Sequence, residues 1–168
     1  IDAQGQWTSD RIKVKHAFDS NTIRHGFIES VQFADGTSLS QEQLIAATLL
    51  SSDGDDVLYG LDSDDTLIGG QGNDTLYGGA GNDTYQFNVG DGQDVISDSS
   101  GNDRIVFGAG IRPDDVQISR DRHNLYFTLI DAQGQWTSDR IKVKHAFDSN
   151  TIRHGFIESV QFADGTSL

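Results

Sequence analysis

The sequence predicts an all-β fold. Its centre is a parallel β-roll, a β-helix-like solenoid of short repeats, with a β-rich C-terminal cap and a short linking helix in front. Three observations carry this prediction. A nonapeptide pattern runs through residues 51–106, acidic residues are concentrated in that stretch, and a 39-residue segment occurs twice around it.

The nonapeptides justify the roll. They are Ser51–Tyr59 (SSDGDDVLY), Gly60–Ile68 (GLDSDDTLI), Gly69–Tyr77 (GGQGNDTLY) and Gly78–Gln86 (GGAGNDTYQ). After a two-residue slip come Val89–Ser97 (VGDGQDVIS) and Asp98–Val106 (DSSGNDRIV). Position six is always Asp: Asp56, Asp65, Asp74, Asp83, Asp94 and Asp103. Position eight is always apolar: Leu58, Leu67, Leu76, Tyr85, Ile96 and Ile105. Gly recurs at position four, where it permits left-handed backbone. Each unit therefore reads as six polar turn residues and a three-residue strand whose middle side chain points inward. Two units make one coil of a flattened roll, and a period of this kind signals stacked repeats.

Charge gives the roll its chemistry. Residues 51–103 hold 12 Asp, no Glu, no Lys, no Arg and 11 of the 19 Gly. The other 115 residues hold 14 acids against all 12 bases, leaving −2 of the total −14. Coils stacked at about 4.8 Å bring the Asp of unit n beside that of unit n+2. Carboxylates so close, half-buried, repel strongly, so a cation belongs between them. Calcium suits best: it takes 6–8 oxygen ligands, many of them carbonyls, in forgiving geometry. Magnesium demands a stricter octahedron and keeps its waters. Zinc and copper prefer His or Cys, and the block contains neither.

These residues resemble the RTX, or haemolysin-type calcium-binding, repeat G-G-x-G-x-D-x-U-x. GGQGNDTLY and GGAGNDTYQ fit at every defined position; the first two units depart at some Gly positions and the last two are degenerate. The resemblance implies ions held between units n and n+2, mostly through carbonyls, by positions two, four and six of one and one, three and six of the other. Carried across, the first set is Ser52, Gly54, Asp56, Gly69, Gln71 and Asp74. The second is Leu61, Ser63, Asp65, Gly78, Ala80 and Asp83. The third is Gly70, Gly72, Asp74, Val89, Asp91 and Asp94, across the slip. The fourth is Gly79, Gly81, Asp83, Asp98, Ser100 and Asp103. About four Ca2+ ions are thus expected. Asp53 and Asp62, at position three of the first two units, either hold extra edge ions or are solvated charge.

The cap follows from the segment after the roll, residues 107–168, which resembles the haemolysin-type calcium-binding-related flank. Alternation predicts strands over Asp115–Arg120, Asn124–Asp131, Asp139–Phe147 and Ile157–Phe162. A turn from Gly134 to Ser138 suggests a hairpin, and Ala163–Asp164–Gly165 a second turn. Such a flank would cover the open end of the roll, otherwise an exposed sheet edge. Residues 1–39 are identical to 130–168, a period of 129. They read as the tail of a preceding cap, lack a counterpart of Leu125–Leu129, and should be less well formed. Either the parent is a tandem array of near-identical modules or the flank was duplicated by design; undrifted identity favours a recent array. Residues 40–50 form the link: Ser40-Gln41-Glu42-Gln43 reads as a capping box opening a helix to about Leu50.

Other chemistry is weakly signalled. The absence of Cys excludes disulfides, thiol catalysis and zinc–thiolate sites. The absence of Met leaves no initiator and predicts a segment of a longer chain. The longest apolar stretch, Leu44–Leu50, is too short for a membrane span, and the acidity argues against nucleic acid. His145, with its duplicate His16, falls on the apolar face of Ile141, Val143 and Phe147 and reads as a half-buried core residue. His154 and His25 read as loop residues. Arg140, Lys142 and Lys144 form a basic stripe, and Trp136 lies in the expected turn, packed on the cap or able to stack on a sugar. No catalytic motif appears, and the Asp pairs recur with the nonapeptide, unlike a unique catalytic pair. The expected function is non-enzymatic: a calcium-binding module of a large secreted repetitive bacterial protein, structural or adhesin-like, exported unfolded by type I secretion and folded by calcium. Its partners are calcium and neighbouring identical modules. The alternative is a carbohydrate- or partner-recognition module attached to a secreted enzyme.

Overall fold

A computed structural model describes residues 30–40, 43, 44, 49, 51–147 and 157–168. The chain divides into two units, residues 1–44 and 45–168. In the first, strands β1 (Ser30–Gln32) and β2 (Ser38–Ser40) pair antiparallel about a tight turn. The expected capping box is present: Ser40 N donates to Gln43 Oε1 at 2.8 Å, and Gln43 N to Ser40 Oγ at 3.3 Å. Gln43 and Leu44 are helical, while most of the expected helix, like the body of residues 1–29, lies outside the described residues.

In the second unit the nonapeptides form the six strands β3 (Val57–Tyr59), β4 (Thr66–Ile68), β5 (Thr75–Tyr77), β6 (Thr84–Phe87), β7 (Gln93–Ser97) and β8 (Arg104–Phe107). Odd- and even-numbered strands go to opposite sheets, all pairings parallel. Three-residue strands have one inward side chain, so the core is a column of position-eight residues. Leu58, Leu67, Leu76, Tyr85, Ile96 and Ile105 are all buried. The slip is absorbed without loss of register: Leu58 faces Leu76, and Leu76 faces Ile96, although the second step is two residues longer. Phe87 of the slip lengthens β6, and Phe107, just after the last nonapeptide, lengthens β8; the two rings meet edge-to-face at 6.2 Å in the core.

A one-turn 3-10 helix (Pro113–Asp115) leads into β9 (Val116–Arg120), β10 (Leu125–Ile130) and β11 (Trp136–Val143), an antiparallel meander. β11 then pairs parallel with β7, and the last strand, β12 (Ser159–Gln161), pairs parallel with β8. Both sheets of the roll are thereby extended at their C-terminal end, so β7 and β8 are not left as open edges. Among the described residues no helix is long and apolar enough to cross a membrane.

Four expectations need correction here. The hairpin turn is Asp131–Gln135, earlier than expected, because the Asp131 carboxylate accepts the Gln133 and Gln135 amides and Gly134 takes φ +74°. The following strand therefore starts at Trp136, which lies in a strand with 60 % of its surface exposed. That strand also stops at Val143, short of the expected Phe147. His145 is an exposed turn residue with φ +59°, and Ala146 takes the inward place. Of the basic stripe, Arg140 and Lys142 both lie over the Tyr126 ring, at 5.6 and 5.9 Å. His154 and the first-copy His16 and His25 lie outside the described residues.

Candidate metal centre

The turns between strands stack as the strands do, which aligns position six into two ladders. Asp56 N donates to Asp74 Oδ1 at 2.8 Å, and Asp74 N to Asp94 Oδ1 at 3.0 Å. On the other edge Asp65 N donates to Asp83 Oδ1 and Asp83 N to Asp103 Oδ1, both at 2.8 Å. Each inner carboxylate therefore spends one oxygen on the amide of the coil before it. The second oxygen is the informative one. Asp74 Oδ2 and Asp83 Oδ2 are fully buried and have no hydrogen-bond partner. A buried carboxylate oxygen with nothing to accept from costs several kcal/mol unless a cation answers it.

The turns of successive coils stack backbone against backbone. A Cβ on Gly72 (φ +144°) would lie 2.6 Å from Gly54 O, and one on Gly81 (φ +126°) 2.5 Å from Ser63 O. Glycine lets successive turns approach closely enough to set carbonyls beside carboxylates. The donor set is wholly oxygen, which fits a hard cation of calcium's kind.

Electrostatics agree with the geometry. Burial, with neighbouring carboxylates adding to it, pushes the Asp94 carboxyl up to about 7 and those of Asp83 and Asp103 up to about 6. Burial likewise raises Asp74, Asp91 and Asp98. These groups resist ionisation where they stand, because burial disfavours their charged form.

The four sets differ in how completely the fold assembles them. In the first, Ser52 N and Oγ cap Asp56 Oδ2 at 2.6 and 2.8 Å, Asp74 Oδ2 lies against Gly69, and the Gln71 side chain is exposed. In the second, Leu61 N caps Asp65 Oδ2 at 2.7 Å, Ala80 N reaches Leu61 O at 3.2 Å, and Asp83 Oδ2 lies against Gly78. In the third, Gly70 takes φ +79° and Gly72 N donates to Asp91 O at 2.9 Å. The slip draws the Asp91 carboxylate into its own turn, where it accepts Asn88 N at 2.7 Å, and leaves the Val89 side chain exposed. In the fourth, Gly79 O already accepts Ser99 N and Ser100 N, each at 3.2 Å, and Gly81 N donates to Ser100 O at 3.1 Å. There the side chains converge instead: Asp83, Asp98 and Asp103 can each offer an oxygen, all within 4.8 Å of one another. Asp53 and Asp62 are exposed.

Three groups were not foreseen. Position five makes an outer ladder: Asp55 Oδ1 accepts Asn73 N and Asn73 Oδ1 accepts Gln93 N, while Asp64 and Asn82 do the same for Asn82 N and Asn102 N. The recurrence of Asp, Asn or Gln at that position was its signal. The Tyr85 phenol donates to Asp98 Oδ2, an intrusion of a core side chain into the turn layer. From the cap, Glu158 Oε2 accepts Asp103 N and so adds a carboxylate to the second ladder, while Asp139 Oδ2 accepts Gly90 N in the turn before β7, both at 2.7 Å. No period announces these two.

Comparison with known proteins agrees with this layout. The family model of the RTX calcium-binding nonapeptide repeat (4 copies) matches residues 50–85 and 86–111. That of the haemolysin-type calcium binding protein related domain matches residues 7–43 and 124–168. No curated protein sequence matches the chain significantly. Among solved structures it is similar to the solution structure of the AlgE6R3 subunit from the Azotobacter vinelandii mannuronan C5-epimerase. The identity is 25% over 56% of this chain and 73% of that one, with a TM-score of 0.33, too low to bear on the fold. RTX repeats bind Ca2+ and are typical of secreted bacterial proteins. The chain is a calcium-binding RTX repeat module, its nonapeptides wound into a β-roll and flanked by haemolysin-type calcium binding protein related segments.

Proposed function

We propose that calcium is the folding switch of this module, which serves as a structural, adhesin-type repeat of a large secreted bacterial protein. The observation that carries the reading is the pair of buried, unpartnered oxygens Asp74 Oδ2 and Asp83 Oδ2, in a block without a single base. The four residue sets named above are the proposed ligands, sharing Asp74 and Asp83 between successive ions. Where calcium is scarce, 12 like charges resist compaction and keep the chain in a state fit for export. With free calcium about tenfold above the dissociation constant, each site contributes about 1.4 kcal/mol, and four about 5–6 kcal/mol. That is the whole stability of a typical domain. Calorimetric titration of the calcium-free chain tests the sets: about four ions are expected, and about two at undiminished affinity in Asp83→Asn, since Asp83 belongs to two of the sets. A stoichiometry unchanged by every position-six substitution would contradict the assignment.

One observation favours a second reading, recognition of a polysaccharide. Trp136 stands exposed on β11 and could stack on a sugar ring. Glycan binding that is lost in Trp136→Ala would establish it, and an inert glycan array would remove it.

A further inference from the structure

Residues 30–39 and 159–168 share the sequence SVQFADGTSL and fold alike. Phe33 N donates to Thr37 O as Phe162 N does to Thr166 O, both at 2.9 Å. Asp35 caps Thr37 as Asp164 caps Thr166, and Gly36 and Gly165 take φ +89° and +86°. What differs is the company. Ser159–Gln161 lies parallel on β8, with Val160 opposite Ile105 and Phe162 stacked on Phe107 at 5.2 Å, so Phe162 is 2 % exposed. Phe33, the same residue in the same hairpin, is 49 % exposed.

We propose that residues 30–40 are a strand donor for a second copy of this chain. The hairpin takes the place of that copy's own residues 159–168 on its β8 edge, with Val31 where Val160 sits here and Phe33 over Phe107. The occupant is specified by the structure itself, because the identical decapeptide already lies on that edge. The register is equally specified. A one-residue slip turns Val31 and Phe33 outward, and the register with Val31 opposite Ile105 is the one the identical resident strand already takes. Edge addition of this kind takes its affinity from main-chain pairing and its specificity from alternate side chains. In sequence Glu29 stands where Glu158 caps the Asp103 amide, so the donor carries the ladder's last carboxylate too. Copies joined this way run head to tail, each roll closed by the segment that precedes the next. The proposal rests on residues 51–106 being a calcium-folded roll, since the β8 edge exists only once the roll has formed.

The chain has no cysteine, so engineered pairs report cleanly. Gln161 lies opposite Val106 on neighbouring strands, a separation that suits a disulfide. Full-length Val106→Cys and Gln32→Cys chains are mixed, unfolded with chelator, and refolded in millimolar calcium under mild oxidation. A disulfide linking positions 32 and 106 of different chains is expected, several-fold above that of a Gln41→Cys chain. It should rise when Phe162→Ala weakens the resident strand, and vanish when Phe33→Asp is added to the donor. The arm with residue 162 intact keeps the test valid if Phe162→Ala fails to fold. The Val106→Cys/Gln161→Cys chain should close its own disulfide in calcium; failure there defeats the calcium-folded roll itself. If that control closes and positions 32 and 106 link no better than 41 and 106, strand donation is overturned.

Discussion

The first two coils of the roll and the coils behind them obey the same nonapeptide rule and meet different surroundings. In residues 51–68 the position-six carboxylates are half-buried, and each turns Oδ2 back onto an amide of its own turn: Asp56 onto Ser52 N, Asp65 onto Leu61 N. From residue 69 onward they are fully buried, and Asp74 and Asp83 leave Oδ2 without a partner. The strands differ in parallel. Val57, Tyr59 and Ile68 flank their buried leucines in the open, whereas the residues flanking Leu76 and Tyr85 are half-buried. A single unit is thus a self-satisfied turn. The buried, unpartnered carboxylate oxygen belongs to the stack, and among the described residues it appears where a coil has neighbours on both sides, as expected of a repeat protein whose stability is carried by interfaces.

The largest effect that sharpens this contrast is Asp83→Ala against Asp56→Ala, compared by thermal unfolding in saturating calcium. Asp83 serves two proposed ions and the Asp65 amide, so its loss is expected to cost about 4–6 kcal/mol. Asp56 serves one ion and its own turn, and about 2 kcal/mol is expected. Equal costs would erase the distinction between edge and interior. In the core, Leu76→Ala should cost about 3–5 kcal/mol, because Leu76 has a strand on either side. Leu58→Ala should fall nearer 2 kcal/mol, since β3 has only β5 beside it.

Acidity offers a gentler probe. Without calcium, Asp94, Asp83 and Asp103 have carboxyls raised to about 7, 6 and 6, above their unfolded value of 3.8. The folded state then holds protons that the unfolded state releases, so these groups oppose folding increasingly as pH rises from about 4 to 7. Chelated protein should therefore gain β-structure, read by circular dichroism, on acidification from pH 7 to 5. Calcium affinity should fall over the same range, because protons compete for the same oxygens. A chelated chain that loses β-structure between pH 7 and 5 would refute the buried inner carboxylates. The smallest effect belongs to the outer ladder: Asn82→Ala should cost about 1 kcal/mol by freeing one amide cap, in calcium and chelator alike where folded.

How much of this could be read from the sequence depends on what wrote it. Position six and position eight follow from the period, and the structure places both rows where the period puts them. The slip at Phe87–Asn88 breaks the nonapeptide period, yet the register holds, because each sheet takes the same two extra residues and pairing is preserved. Alternation misled in the cap. Ile141, Val143 and His145 share a parity, but Asn124 Oδ1 accepts the His145 amide at 3.4 Å where the chain turns, and a left-handed residue there ends the alternation. Likewise Asp131 pulls the hairpin turn forward by accepting two amides at once. Asp139 and Glu158 were invisible for another reason: they reach the Gly90 and Asp103 amides across 40 residues or more of sequence. Local chemistry and repetition are legible, whereas long-range register is not.

The central claim, that the roll is held by calcium, is tested most directly by far-ultraviolet circular dichroism of the whole chain, first in chelator at pH 7 and then in millimolar calcium. The account predicts a largely unfolded spectrum that converts cooperatively to β-structure as calcium is added and reverts on renewed chelation. Native β-structure that is present in chelator and unchanged by calcium would contradict it.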